Sequence, residues 1–148
     1  MKMNKKGFTL VELLAVLAII AIIGMIAIPN VISLMDNSKK DQMINDANRL
    51  ISLMKNHINA DREFRAGTAA SKKVWMGTLD PNGSINPDPD GFNYHREIGE
   101  GKGGSYVIYY RNGSYCVYLK GEKRVIQTDS KGCVKEENLS RSSVKDVN

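Results

Sequence analysis

The chain is poor in the residues that build most active sites and metal centres. It has two cysteines, two histidines and one tryptophan in 148 residues. Cys116 and Cys133 lie 17 apart and form no CxxC pair, and no histidine accompanies them at the spacing of a zinc site. Glycines 99, 101, 103 and 104 cluster near Lys102, but neither the Walker spacing nor GxGxxG is present, so a flexible loop is a better reading than a phosphate loop. His57 has no second ligand at metal spacing and reads as a partly exposed helix residue. No nucleophile–base pair stands out, and the expectation is that the protein is not an enzyme. A net charge of +5 invites a nucleic-acid reading, but Lys2, Lys5 and Lys6 carry three of those charges. The remaining basic residues are interleaved with Asp and Glu, so no specific nucleic-acid partner is expected.

What the chain does have is one apolar block. Leu13 to Ile28 is a run of 16 residues without a polar side chain. As a helix it spans roughly 24 Å, and extending it from Phe8 to Met35 covers a bilayer core of about 30 Å. The block follows a basic stretch, which places its N-terminus on the cytoplasmic side and the rest outside. No small-x-small cleavage site follows it, so it reads as a retained membrane helix rather than a discarded secretory signal. Glu12 stands at its mouth. A carboxylate deep in a bilayer costs on the order of 3 kcal/mol and is usually functional and partnered. The alternative is a carboxylate solvated at the headgroup interface. Gly24 and Pro29 interrupt the pattern, and Pro29 removes the hydrogen bond to the Met25 carbonyl, which predicts a kink.

The ordered series Lys5-Lys6-Gly7-Phe8-Thr9-Leu10-Val11-Glu12-Leu13-Leu14 resembles the prepilin leader and N-methylation segment of type IV pilins and their pseudopilin relatives. The resemblance covers about the first third of the chain. It implies that a membrane aspartyl peptidase cuts between Gly7 and Phe8 and then methylates the new amine of Phe8. It implies a hydrophobic helix that is kept and becomes the filament core, in which the segment between about Ala21 and Pro29 loses helix and lets the filament stretch. Glycine before the cut admits the backbone to a peptidase cleft without a side-chain clash. Glu12, four residues after Phe8, would pair with the Phe8 amine of a neighbouring subunit and so align subunits, since neither charge is tolerated alone in a low-dielectric core. The expected partners are other pilin subunits in a helical homopolymer, the prepilin peptidase/N-methyltransferase, the inner-membrane assembly machinery and the membrane itself.

Beyond the block, Ile44, Ala47, Ile51, Met54 and Ile58, with Leu50 beside them, form one apolar stripe at helical spacing. Asp46, Arg49 and Lys55 fall on other faces. A single helix from Phe8 to Phe64 is predicted, with Gly67 as its stop. Residues 66–104 read as a turn-rich connection in which Val74, Trp75, Met76 and Leu79 form a short strand or a clamp on the core. Within it, Asn86, Asp88, Asp90 and Glu97, with Gly91, follow the 1, 3, 5, 12 oxygen spacing of a calcium loop. Asparagine at the first position, prolines at 87 and 89 and the lack of flanking helices favour a stiffened surface loop instead.

Tyr106–Arg111 and Ser114–Leu119 flank Asn112-Gly113, which predicts a hairpin closed by a two-residue type I′ turn. That register pairs Tyr110 with Tyr115 and Ile108 with Val117, and sets Tyr106, Ile108, Val117 and Leu119 on the helix. It leaves Val107, Tyr109, Cys116 and Tyr118 outside. Gly121 makes a second turn, and Arg124 to Thr128 a third strand. Outside the cytoplasm, a Cys116–Cys133 disulfide would stabilise by about 3 kcal/mol in the chain-entropy model and resembles the C-terminal disulfide region of pilins; two free thiols are the alternative. The tail from Lys135 is polar and expected to be mobile or surface-bound. Asn82, Asn112 and Asn138 each begin an N-x-S triplet.

The expected fold class is α+β and pilin-like: one long N-terminal helix packed under a small antiparallel sheet of about three to four strands. The expected divisions are a cleaved leader 1–7, a membrane and filament helix 8–35 and a head 36–148. The head comprises amphipathic helix 36–65, connection 66–104, β-meander 105–128 and C-terminal region 129–148. The function implied is a pilus subunit for adhesion, motility or surface colonisation. A pseudopilin or competence pilin is the alternative. A membrane-tethered enzyme or binding protein would leave Gly7-Phe8 and Glu12 unexplained. The expected location is the cytoplasmic membrane as a single-pass precursor, then a surface filament.

Overall fold

A computed structural model describes residues 8–147. The leader residues Lys5, Lys6 and Gly7, and the cleavage expected after Gly7, lie outside the described residues. Contacts divide the chain into two units that meet between Asp36 and Asn37. The first is helical from Leu10 onward, and its large apolar side chains from Phe8 to Met35 are exposed.

Helix α1 spans Leu10–Ala60 and holds Pro29 without a break in its assignment. In its second half the apolar stripe selects the buried face. Met43, Ala47, Leu50, Ile51, Met54 and Ile58 are buried. Each of these side chains except Ala47 is worth roughly 1.5–3 kcal/mol of hydrophobic stabilisation. Met43 takes the place expected of Ile44, which is only partly buried. The expected helix to Phe64 is broken once. Asp61 leaves helical geometry and accepts the Phe64 N–H at 2.9 Å as the N-cap of α2, Arg62–Ala66. Phe64 is thereby turned into the core, and α2 stops at Gly67 as expected, in extended rather than left-handed geometry.

Among the described residues the sheet has six strands, more than the three to four expected. They are β1 Ser71–Trp75, β2 Tyr106–Tyr110, β3 Tyr115–Lys120, β4 Arg124–Ile126, β5 Val134–Lys135 and β6 Val144–Asp146. The order is β1-β2-β3-β4-β6, with β5 paired to β3, and the pairings are antiparallel. The region expected to be a connection supplies β1 and a short helix, α3 Met76–Leu79, so Val74, Met76 and Leu79 form both the strand and the clamp. The tail is ordered rather than mobile: β6 extends the sheet, Val144 is buried, and Arg141 forms two 2.6 Å bonds to Asp41 on α1. Polar composition concealed this because an edge strand needs only one apolar residue facing inward.

The β2–β3 register differs from expectation by one residue. Tyr109 pairs with Tyr115, Ile108 with Cys116, Val107 with Val117 and Tyr106 with Tyr118. Tyr110 N–H donates to Ser114 at 2.9 Å and Gly113 N–H to Tyr110 at 2.9 Å, which closes a three-residue loop. Gly113 sits at φ +91°, the left-handed residue that such a loop requires. A slip of one residue turns over every side chain of the strand. Val107 and Tyr109 therefore face the core, and Tyr106 and Ile108 the opposite face, reversing the expectation for β2. For β3 the expectation holds, with Val117 and Leu119 fully buried in the core.

Three aspartates, Asp46, Asp80 and Asp88, are buried among the described residues. Asp46, expected on a polar face, is buried, and the Tyr94 hydroxyl donates to it at 2.9 Å. Burial pushes the Asp46 carboxyl above its ordinary range, although Tyr94 and Arg49 oppose the shift.

Candidate processing and assembly segment

The segment that the sequence marks begins at the helix start. Thr9 N–H donates to Glu12 Oε2 at 2.9 Å, and Glu12 N–H donates to Thr9 Oγ1 at 3.3 Å. This is a reciprocal capping box with Thr9 as N-cap, and it satisfies two of the backbone donors that a helix start leaves open. The charge at the mouth of the apolar block thus has a structural use that the charge-cost argument passed over. The T-x-x-E spacing was the available signal. Glu12 remains exposed. An ionised carboxylate has two oxygens and accepts several hydrogen bonds, so capping leaves it able to receive an external amine.

Phe8 precedes the helix and is 84% exposed. From Leu10 to Met35 the large apolar residues are exposed all round, including Ile19, Ile20, Ile22, Ile23, Ile26 and Ile28. A helix apolar on every side is stable only when lipid or other helices cover it. α1 is long and apolar enough to cross a membrane. Gly24 and Pro29 both lie within α1, and the Asn30 side chain donates to the Ile26 carbonyl at 3.2 Å just beyond the proline.

The remaining expected sites lie in the second unit. Cys116 and Cys133 form a disulfide with Cα atoms 5.5 Å apart, which ties the segment before β5 to β3. His57 is half-buried on α1, as expected.

The calcium-spaced loop uses its carboxylates on the protein itself. Asp88, buried, accepts from the amides of Asp90, Phe92 and Glu122 at 2.9, 2.9 and 3.2 Å. Asp90 bonds Lys39 and Arg124, each at 2.8 Å. Burial raises its affinity for a proton, but the two cations outweigh this and hold its carboxyl below the usual range. Asn86 accepts the Tyr94 amide at 3.1 Å, and Glu97 stands 3.7 Å from His95. Among the described residues no three His, Cys, Asp or Glu side chains stand together as a metal site. Asp80 is a further anchor that the sequence reading missed. It is buried and accepts from the Ser84 amide and hydroxyl, the Ile85 amide and Arg96. Burial alone would raise its carboxyl, but these four donors bring it down to about 2.

Residues 2–28 match the family model described as the prokaryotic N-terminal methylation motif, and the chain carries this type IV pilin/prepilin leader signature. Neither the curated proteins nor the solved structures give a match to the chain. The motif supports a type IV pilin-like or pseudopilin protein and implies processing by a prepilin peptidase. Together with the exposed apolar helix it fits a membrane-anchored prepilin, and the long helix with a small antiparallel sheet matches the pilin α+β fold. Motif and fold point to a structural subunit rather than an enzyme.

Proposed function

We propose that the protein is a structural subunit of a type IV pilus, cut between Gly7 and Phe8, methylated at Phe8, and polymerised through its N-terminal helix into a surface filament. The observation that carries this reading is the match of the methylation motif to residues 2–28, continued by a helix whose apolar residues are exposed on every side. In the precursor, lipid covers that surface; in the filament, helices of neighbouring subunits cover it. Glu12 aligns the incoming subunit by receiving the Phe8 amine of a neighbour while Thr9 keeps it oriented through the capping box. Gly24 and Pro29 mark the part of the helix that unwinds in the filament.

N-terminal sequencing and mass spectrometry of sheared surface filaments test the reading. N-methylated Phe8 as the first residue is the expected result, and an intact Met1 refutes it. Processed chain found solely in the membrane fraction, with no surface filament, would assign the protein to a short pseudopilus instead. For Glu12, the Glu12→Ala variant should be cut normally yet yield few or no filaments. Filaments in normal amount would remove the alignment role.

A further inference from the structure

Among the described residues beyond Asn37, three large apolar side chains are exposed by more than a third: Phe92 at 44%, Ile98 at 55% and Val147 at 36%. Two of them flank one exposed lysine. Lys123 Nζ lies 5.2 Å from the centre of the Phe92 ring, and the Val147 amide donates to the Lys123 carbonyl at 2.9 Å. Phe92, Lys123 and Val147 thus make one tip of the second unit.

The tip is fixed in place. Asp88 accepts from the Phe92 and Glu122 amides at 2.9 and 3.2 Å, and its own amide donates to the Phe92 carbonyl at 2.7 Å. A side chain at Gly121 would strike the Asp88 carboxylate, so the two loops pack in direct contact. Asp90 then ties them to Arg124 and to Lys39 on α1, each at 2.8 Å. The tip is therefore at the end of the second unit where α1 enters it. The Asn112-Gly113 turn marks the other end, because the adjacent Arg111 reaches the carbonyls of Phe64 and Gly67. The helix from Lys39 to Ala60 separates the two ends by about 30 Å.

Two observations choose an occupant for the tip. First, Lys39 follows Met35, the last exposed apolar residue of the N-terminal block, by four residues. That is at most about 14 Å of chain. The headgroup layer on each side of a bilayer is about 5–8 Å thick, so the tip is within reach of it when the block spans a membrane. Second, the charges around the tip balance. Asp90 is held by Lys39 and Arg124, Asp41 by Arg141 and Asp129 by Lys145, while Glu122 and Asp146 are exposed beside Lys123. A nucleic acid or other polyanion needs an excess of positive charge, which this surface lacks. A ring and an aliphatic side chain beside a lysine suit a headgroup layer instead, with the apolar groups toward the acyl chains and the ammonium among the phosphates.

We infer that, while the apolar block spans the membrane, the head docks on the lipid headgroup layer through Phe92, Lys123 and Val147, with the Phe92 ring entering the layer. This rests on the membrane-anchored reading of the N-terminal helix and not on whether the chain later joins a filament.

Full-length protein, one chain per phosphatidylcholine nanodisc containing lipid nitroxide-labelled near the top of its acyl chain, tests the inference by NMR. Signals from Leu13 to Ile28 should broaden, and those of Phe92, Lys123 and Val147 should broaden at least twofold more than those of the Asn112-Gly113 turn. Phe92→Ser should cut the broadening at Lys123 and Val147 by half or more, and Phe92→Leu should retain it, with the signals of the buried core unmoved in both. Broadening of residues 13–28 without broadening of the tip overturns the docking and leaves the anchored reading standing. No broadening of residues 13–28 overturns both. Equal broadening at the Asn112-Gly113 turn, undiminished broadening in Phe92→Ser, or broadening of the tip only when two chains share a disc, which would assign it to a second copy, each overturn the docking.

Discussion

Replacement of Asp80 by asparagine should destabilise the head by about 2 kcal/mol or more at neutral pH, and the loss should vanish in acid. Asp80 has a buried carboxylate fed by four donors, at 2.9 Å from the Ser84 amide, 2.7 Å from its hydroxyl, 3.1 Å from the Ile85 amide and 3.0 Å from Arg96. These contacts fix the turn after α3, seat Ile85 in the core and hold Arg96. Asparagine keeps the shape, removes the charge and turns an amide donor toward one of the existing donors. The magnitude follows from the carboxyl's fall from 3.8 to about 2 in the folded protein, which corresponds to about 2.5 kcal/mol of preference for the ionised form. Because the folded value lies below the unfolded one, this stabilisation is complete above about pH 4 and is lost as the pH falls through about 2. The single tryptophan, Trp75, lies immediately before α3 and reports unfolding of the head by fluorescence. Urea unfolding of both proteins in micelles, at several pH values from 2 to 7, gives the difference directly. A variant within about 0.5 kcal/mol of the parent at pH 7 would refute the reasoning, because one net hydrogen bond is worth more than that. So would a difference that persists unchanged to pH 2.

Three further perturbations have defined outcomes. Leu50→Ala, at a position with no exposure between α1 and the sheet, should cost about 2–5 kcal/mol, read as a lower urea midpoint at unchanged slope. Cys133→Ser, which opens the loop closed by the disulfide, should cost about 3 kcal/mol, and the parent protein in reductant should show the same loss. Arg111→Lys should lower stability by about 1–3 kcal/mol despite conserving charge. The guanidinium reaches the carbonyls of Phe64, Gly67 and Ala69 at 2.8, 2.8 and 2.9 Å and stacks on Phe64, a fork that an ammonium cannot reproduce; unchanged thermal unfolding would show that charge alone suffices.

The parts of this protein that depend on short-range rules were legible from residues alone. The apolar block, the helix stripe of Ala47, Leu50, Ile51, Met54 and Ile58, the hairpin around Asn112-Gly113 and the methylation segment each carry their own periodicity or ordered motif. Local chemistry determines them, because helix spacing and loop residues act within a few positions. The T-x-x-E cap at Thr9 was readable on the same terms and was overshadowed by the larger cost of a carboxylate near lipid.

Only the tertiary structure decided where those elements settle. A three-residue loop in place of a two-residue turn moved the β2–β3 register by one and exchanged Val107 for Ile108 in the core, a choice made by packing against the helix. Asp46 was admitted to the interior because Tyr94, 48 residues away, supplies a hydroxyl. The polar tail became a sheet edge because Val144 found Ile126 across the strand. In the loop with calcium-like spacing, Asp90 is an anchor because Lys39 and Arg124 reach it. Sequence pattern records a residue's neighbours along the chain; burial, register and ion pairing depend on partners tens of residues away, and those partners exist only once the chain has folded.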